Sequence, residues 1–265
     1  MSKRVIVTGA ASGIGDATAG ALRRRGCQVV GLDVQAGPGV LACDVRDQAS
    51  VDAAVAEAIE RLGGLDVLIN SAGVGDPQSA ALRPGEDALR VIDVNLLGTW
   101  RVTAAAIDAL RESRGRVINI ASGLAYLTIP LATAYTVSKR GVVAYSDSLR
   151  LEMAGEVEVT TVYPGYIRTP IHCAAAAKGV RLEGVVPAEP LEAAAATLVR
   201  AALSERPYRD LATSRQGAAG YAMFRRMPRR ALDRLTLKRL RATADRGRLD
   251  ESELAAPLRK RLLSS

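Results

Sequence analysis

Apolar residues follow two alternating periods along the first two hundred positions. Short, nearly continuous runs predict strands at 3–8, 27–33, 66–70, 116–122 and 156–163. Helical spacing predicts helices over 13–25, 50–62, 85–112 and 133–154. Strands that are apolar on both faces belong in a parallel sheet covered by helices on each side. Right-handed crossovers then give a doubly wound, Rossmann-type α/β fold. From 169 to 190 the pattern lapses into Ala, Gly and Pro, a stretch long enough for a lid or substrate loop. A helix is predicted again near 189–205 and a weak strand at 208–213. The expected organisation is a single catalytic α/β domain over 1–215, followed by a helical extension over 216–265.

Composition agrees with this picture and narrows it. With 265 residues and 48% apolar content, the chain can bury a core without disulfides, and a disordered chain is excluded. Its three cysteines show no CxxC or Cys/His spacing, so no metal site is predicted. Their sparse use fits a reducing cytoplasm, with Cys27 and Cys43 as small core residues. The start, MSKR running into VIVTG, has no signal-peptide pattern, and no run of eighteen apolar residues occurs.

Charge divides the chain unevenly. Residues 1–220 hold 23 Lys/Arg and 23 Asp/Glu, whereas residues 221–265 hold 13 and 5, which is the whole net +8. A neutral body with a basic tail argues against nucleic acid as a partner. The tail mixes Phe224, Met227, Leu232, Leu235 and Leu240 with arginines at helical spacing, and Pro228 can open a helix. Two readings stay open. It docks on the domain and helps roof a pocket, or it makes peripheral contact with an anionic membrane.

Candidate chemistry lies at the strand ends. Thr8-Gly9-Ala10-Ala11-Ser12-Gly13-Ile14-Gly15 links the first strand to the first helix. Glycines there let backbone N–H groups approach a pyrophosphate, and the helix N-terminus favours its charge. Asp33 closes the second strand, where a carboxylate accepts hydrogen bonds from a ribose and repels a 2′-phosphate. NAD is therefore expected over NADP. Tyr135 and Lys139, four apart on a helix, share one face, and a nearby ammonium is expected to lower the phenol pKa for proton transfer.

Further motifs occur in order: Asn70-Ser71-Ala72-Gly73 after the third strand, Asn95, Ser122 thirteen residues before Tyr135, and Pro164-Gly165. Together with the glycine turn and the Tyr-Lys pair, they resemble the short-chain dehydrogenase/reductase family over roughly residues 4–205. The resemblance implies an oxidoreductase in which Tyr135 is the general acid/base and Lys139 lowers its pKa and holds the nicotinamide ribose. Ser122 would bond the substrate oxygen, and Asn95 would hold a water leading to Lys139. It further implies cofactor contacts at Thr8, Gly9, Ser12, Gly13, Ile14 and Gly15, and at Asp33, Asp44 and Val45. Asn70, Ala72 and Gly73 would wall the adenosine side, while Pro164, Gly165, Ile167 and Thr169 would meet the nicotinamide side. The Asp-Gly-Gly ending common in tetrameric relatives is absent, and the helices around 95–112 and 133–154 are expected to support at least a dimer.

The expected reaction interconverts a secondary alcohol and a ketone. Leu124, Tyr126, Leu127, Ile171, Leu182, Val185 and Val186 suggest an apolar small molecule that is steroid-, terpene- or lipid-like. Two alternatives remain: a biosynthetic ketoreductase acting on a polyketide or carrier-bound β-ketone, and a non-catalytic, membrane-recruited nucleotide binder. His172, the only histidine, either touches substrate or caps the loop, and Trp100 is expected to pack against the sheet or a partner subunit.

Overall fold

A computed structural model describes residues 2–179, 188–247 and 252–264. Seven parallel strands lie in the order β3-β2-β1-β4-β5-β6-β7. They are β1 (Arg4–Thr8), β2 (Gln28–Asp33), β3 (Val40–Ala42), β4 (Val67–Asn70), β5 (Arg116–Ile120), β6 (Glu158–Tyr163) and β7 (Asp210–Ala212). Three-residue β3 lies outside the predicted elements. Its preceding Gly37-Pro38-Gly39 reads as a loop, and the strand is too short to show a period.

Both faces of the sheet are dry, as the continuous apolar runs require. Ile6, Leu68 and Val117 point to a layer formed by α2 (Gln48–Leu62), α4 (Thr99–Glu112) and α5 (Thr133–Glu152). Their neighbours Val5, Val7, Val67, Ile69 and Ile118 point to the opposite layer of α1 (Gly13–Arg24) and α7 (Leu191–Leu203). Adjacent residues thus divide between two cores, because side chains alternate across a strand. Local signals fix the helix ends: the Asp47 carboxylate accepts the Ala49 N–H at 3.1 Å at the start of α2, and left-handed Gly63 ends it.

The helix predicted as one piece over 85–112 is three. After α3 (Glu86–Ile92), a π-helical turn over Asp93–Gly98 widens the coil before α4 begins. Such turns insert a residue into the helical ladder and often mark functional positions. This one carries Asn95.

Strand order reverses between β1 and β4, so a crevice opens above their C-terminal ends. The chain beyond β7 folds over that crevice as α8 (Arg215–Arg226) and α9 (Arg229–Ala244), with α10 (Ala256–Leu263) packed on α9. The short α6 (Cys173–Ala177) occupies part of the stretch where the sequence pattern lapses. Among the described residues, no helix is long and apolar enough to cross a membrane.

Candidate active site

The crevice is a cleft of about 1130 Å³. One end is shaped by the turn between β1 and α1. Gly9 sits at φ +67°, and a Cβ on it would lie 2.8 Å from the Ala72 Cα. A Cβ on Gly15 would lie 2.1 Å from the Gly9 carbonyl oxygen, so the turn closes only with glycine at both positions. Ser12, Gly13 and Ile14 line the cleft at the N-terminus of α1. Asp33 faces the same space, its carboxylate oxygens accepting the N–H groups of Ala11 at 3.0 Å and Gln35 at 3.1 Å. The cradle therefore fits a dinucleotide: a main-chain concavity at a helix start, with a preset carboxylate one strand away.

Asp44 and Val45 line the same end. Arg46 does too, a basic residue that the sequence reading passed over. It is already committed, because its guanidinium bonds the Asp44 carboxylate at 2.6–3.1 Å. That bond holds the Asp44 carboxyl below its usual range.

At the centre of the cleft, Ser122 ends the chain leaving β5, and Tyr135 and Lys139 rise from α5. Lys139 is buried, donates to the Ile120 carbonyl at 2.9 Å, and has its Nζ 5.8 Å from the Tyr135 ring centre. Burial pushes its ammonium down to about 8. Burial also pushes the Tyr135 phenol up, and the nearby Ser122 hydroxyl pulls the other way. The expected lowering of the phenol by Lys139 is not what this arrangement yields. A dry site penalises the charged forms of both groups, and that cost sets the direction for each.

Several predicted contacts do not line the cleft. The Thr8 hydroxyl accepts the N–H groups of Ser71 and Ala72, each at 3.0 Å, and so ties β1 to the chain leaving β4. The Asn70 amide donates to Thr103 and Asn119, both at 2.9 Å, inside the core. Asn95 accepts the Val74 N–H at 2.8 Å and donates to the Val74 carbonyl at 3.0 Å and to Ser138 at 3.1 Å. All three brace the strand ends that the ligand-facing residues leave from. Ala72 and Gly73 do face the cleft, as do Pro164, Gly165, Ile167 and Thr169. The Thr169 side chain lies over Gly13, bringing the loop after β6 onto the glycine turn.

The sequence matches the short chain dehydrogenase family over residues 3–178. The chain belongs to the short-chain dehydrogenase family. It is similar to oxidoreductase UcpA of Salmonella typhimurium, 35% identical over 186 residues that span 64% of this chain and 71% of that protein. It is also similar to a putative ketoacyl reductase of Streptomyces coelicolor, 36% identical over 64% of this chain and 72% of that protein. Among solved structures it resembles ligand-free aldohexose dehydrogenase of Thermoplasma acidophilum, with a TM-score of 0.71 and 28% identity. That match covers 80% of this chain and 92% of the other. As a member of this family, the chain is an oxidoreductase acting on CH–OH groups with a nicotinamide cofactor.

Beyond Tyr135 the dehydrogenase cleft turns apolar. Leu124 and Leu127 form its floor, while Ile171, Met223 and Phe224 face them. Tyr126, expected to meet substrate, instead packs with Tyr163 and Tyr221, ring centres 4.5–5.7 Å apart. Leu182, Val185 and Val186 lie outside the described residues. The basic tail is docked: Phe224 and Leu232 pack on Leu124, Leu127 and Ile129, and Leu240 packs with Leu131.

Polar anchors that periodicity does not reveal hold this roof. Glu189 accepts the Gly165 N–H at 3.1 Å and the hydroxyls of Thr213 and Ser214, and Ser214 in turn caps α8 through the Gly217 N–H at 2.9 Å. Buried Asp76 takes Lys178 at 2.6 Å and Arg90 at 3.3 Å, fastening the segment after α6 to the loop after β4. His172 braces rather than reaches out, with Nε2 3.0 Å from the Ile167 carbonyl and its ring against Tyr166. Trp100 does not face the sheet; it is 55% exposed and its ring lies beside Tyr145.

Proposed function

We propose that the protein interconverts a secondary alcohol and a ketone on a mostly apolar small molecule, with NAD as the cofactor. The observation that carries this reading is a phenol, Tyr135, that shares the cleft with Ser122 and Lys139 where a main-chain dinucleotide cradle opens into an apolar chamber. When bound, the nicotinamide takes the hydride from the alcohol carbon or returns it to the ketone. The phenol gives its proton to the substrate oxygen in reduction and, as phenolate, removes it in oxidation. Ser122 donates to the same oxygen, where charge develops. Lys139 sits below as the proton's next neighbour, and Asn95 and Asn70 position the walls.

NAD is favoured by Asp33, whose carboxylate is preset to accept ribose hydroxyls, and by Arg46, whose guanidinium Asp44 already occupies. Gly9, Ser12, Gly13, Ile14, Gly15, Val45, Ala72 and Gly73 would meet the adenosine and pyrophosphate, and Pro164, Gly165, Ile167 and Thr169 the nicotinamide end. The docked tail favours pocket roofing over membrane contact, since its apolar side already meets the domain. Exposed Leu97, Trp100 and Val137 on the π turn, α4 and α5 suit association of two copies.

The test is Tyr135→Phe, assayed on secondary alcohols by NADH absorbance. Turnover should fall about 10²–10⁴-fold, the usual worth of a general acid–base group, while NADH binds as before. Full turnover in this variant, or a preference of the unmodified protein for NADPH, would remove the reading.

A further inference from the structure

Among the described residues, each charge that lines the cleft is answered within the protein, with one exception. Asp33 holds two backbone N–H groups, and Asp44 holds Arg46. Asp76 is answered by Arg90 and Lys178, Glu189 by Gly165, Thr213 and Ser214, and Lys139 by the Ile120 carbonyl. Arg239, exposed at the rim, lines the cleft, and its side chain has no hydrogen bond or ion pair among the described residues.

Its position on α9 is what gives it meaning. Leu232 and Leu240 are the residues that seat this helix on the domain, against Leu124 and Leu127 at one point and Leu131 and Ala175 at the other. Residue 239 lies two turns after Leu232, so it belongs to the side of the helix that Leu232 presents to the cleft. The other basic residues of α9, such as Arg234 and Lys238, do not line the cleft. Arg239 is exposed at the rim of this apolar chamber, where water covers it until an anion takes that water's place, and the net positive charge of the tail raises the potential there.

We infer that Arg239 is a specificity residue that binds an oxyanion, a carboxylate or a phosphate ester, on an otherwise apolar substrate. The substrate class is thus an amphiphile: an aliphatic body against Leu124, Leu127 and Phe224, with its anionic end at the mouth under α9. A guanidinium suits either anion, because its planar fork pairs two oxygens at once. The inference rests on the proposed alcohol–ketone reaction for its substrate, but not for its binding site.

Two measurements separate the two claims. The first is binding to the NADH-loaded protein by calorimetry, comparing dodecanoate, dodecyl phosphate and methyl dodecanoate. The better anion should bind about 10–100-fold tighter than the neutral ester, the worth of a hydrogen bond to a charged partner. Arg239→Gln should bring that anion down to the ester, leave the ester within twofold, and leave NADH affinity unchanged; Arg239→Lys should restore part of the difference. The second is turnover of (ω−1)-hydroxy fatty acids against their methyl esters, where KM should carry the same discrimination and kcat should not. Equal binding of anions and ester, or an equal loss of both in Arg239→Gln, overturns the assignment. Retained anion discrimination in the binding experiment with no turnover of any alcohol would instead sink the proposed reaction and leave the Arg239 site standing.

Discussion

Around the glycine turn, the atoms that shape the cleft belong to the main chain. A carbonyl at Gly9 leaves no room for a Cβ at Gly15, and backbone N–H groups of Ala11 and Gln35 hold Asp33 in place. Across the cleft, α8 and α9 are seated by rings and aliphatic chains, and the polar anchors there are side chains of Glu189, Asp76 and Lys178. The two ends therefore respond differently to sequence change. A main-chain cradle demands certain residues at certain positions. A side-chain roof demands only apolar bulk on the inner face, so different sequences can build it and different substrates can fit beneath.

The sharpest way to break the contrast is a single methyl group at each end. Gly15→Ala puts a Cβ against the Gly9 carbonyl oxygen at 2.1 Å, and the turn must open. Overpacking of this kind costs about 1–3 kcal/mol, so NADH affinity should fall about tenfold to a hundredfold by fluorescence titration. Gly220→Ala in α8 meets nothing closer than the Phe224 ring at 3.7 Å. It should leave NADH binding alone and stabilise the chain by about 0.5–1 kcal/mol through helix propensity. Equal losses from the two substitutions would erase the distinction.

That difference also explains how much could be read from the sequence. The glycine turn, Asp33, Ser122, Tyr135 and Lys139 all lie where the strand-and-helix pattern placed them, because backbone requirements leave fixed residues at fixed spacings. Brace and contact look alike in one dimension, so Thr8 and Asn70 read as cofactor contacts and Asn95 as the holder of a water, although the side chains of all three bond to protein. The π turn escaped because an extra residue in a helix shifts the apolar period by too little to see over one turn. Glu189, Asp76 and Lys178 carry no periodic signal at all; only the fold brings residues 76 and 178 together. Pro228 correctly marked a helix start, while amphipathicity alone left open what covers the apolar side of α9.

A smaller effect should follow at the carboxylate that links the two ends through cofactor choice. Asp33→Asn keeps the side-chain shape, removes the charge facing a 2′-phosphate, and weakens acceptance from a ribose. Hydrogen bonds to charged groups are worth about 1.5–3 kcal/mol, so the ratio of kcat/KM with NAD to that with NADP should drop about tenfold or more. Substrate KM should stay within twofold, since the roof is untouched. Smaller again is Phe224→Ala. The ring is half-buried on Leu124, Leu127 and Ile129, and its loss should cost about 1–2 kcal/mol, seen as a rise in KM for apolar substrates with NADH affinity unchanged. A matching loss of NADH affinity would mean that the roof also shapes the cradle.

The smallest expected effect tests the buried ammonium between the two ends. Lys139 has its folded pKa lowered by burial to about 8, against an ordinary value near 10.5. Between these values the unfolded chain holds a proton that the folded chain has released, so stability rises with pH across that window. Each pH unit inside it is worth about 1.4 kcal/mol, and a urea series at pH 8 and pH 9 should register a gain of about 1 kcal/mol. Tyr135, raised by burial, acts in the opposite direction only near its ordinary value of 10, but Cys43, raised from 9.0 to about 11, and Cys27 already oppose the gain as pH nears 9. The lysine's share is therefore read as the difference in slope between the unmodified protein and Lys139→Met. Lys139→Met should flatten the profile between pH 8 and 9 and raise stability at pH 7.5, because the variant no longer places an ammonium in a dry site. An unchanged slope in Lys139→Met would show that the ammonium stays hydrated, and the dry junction between cradle and roof would have to be abandoned.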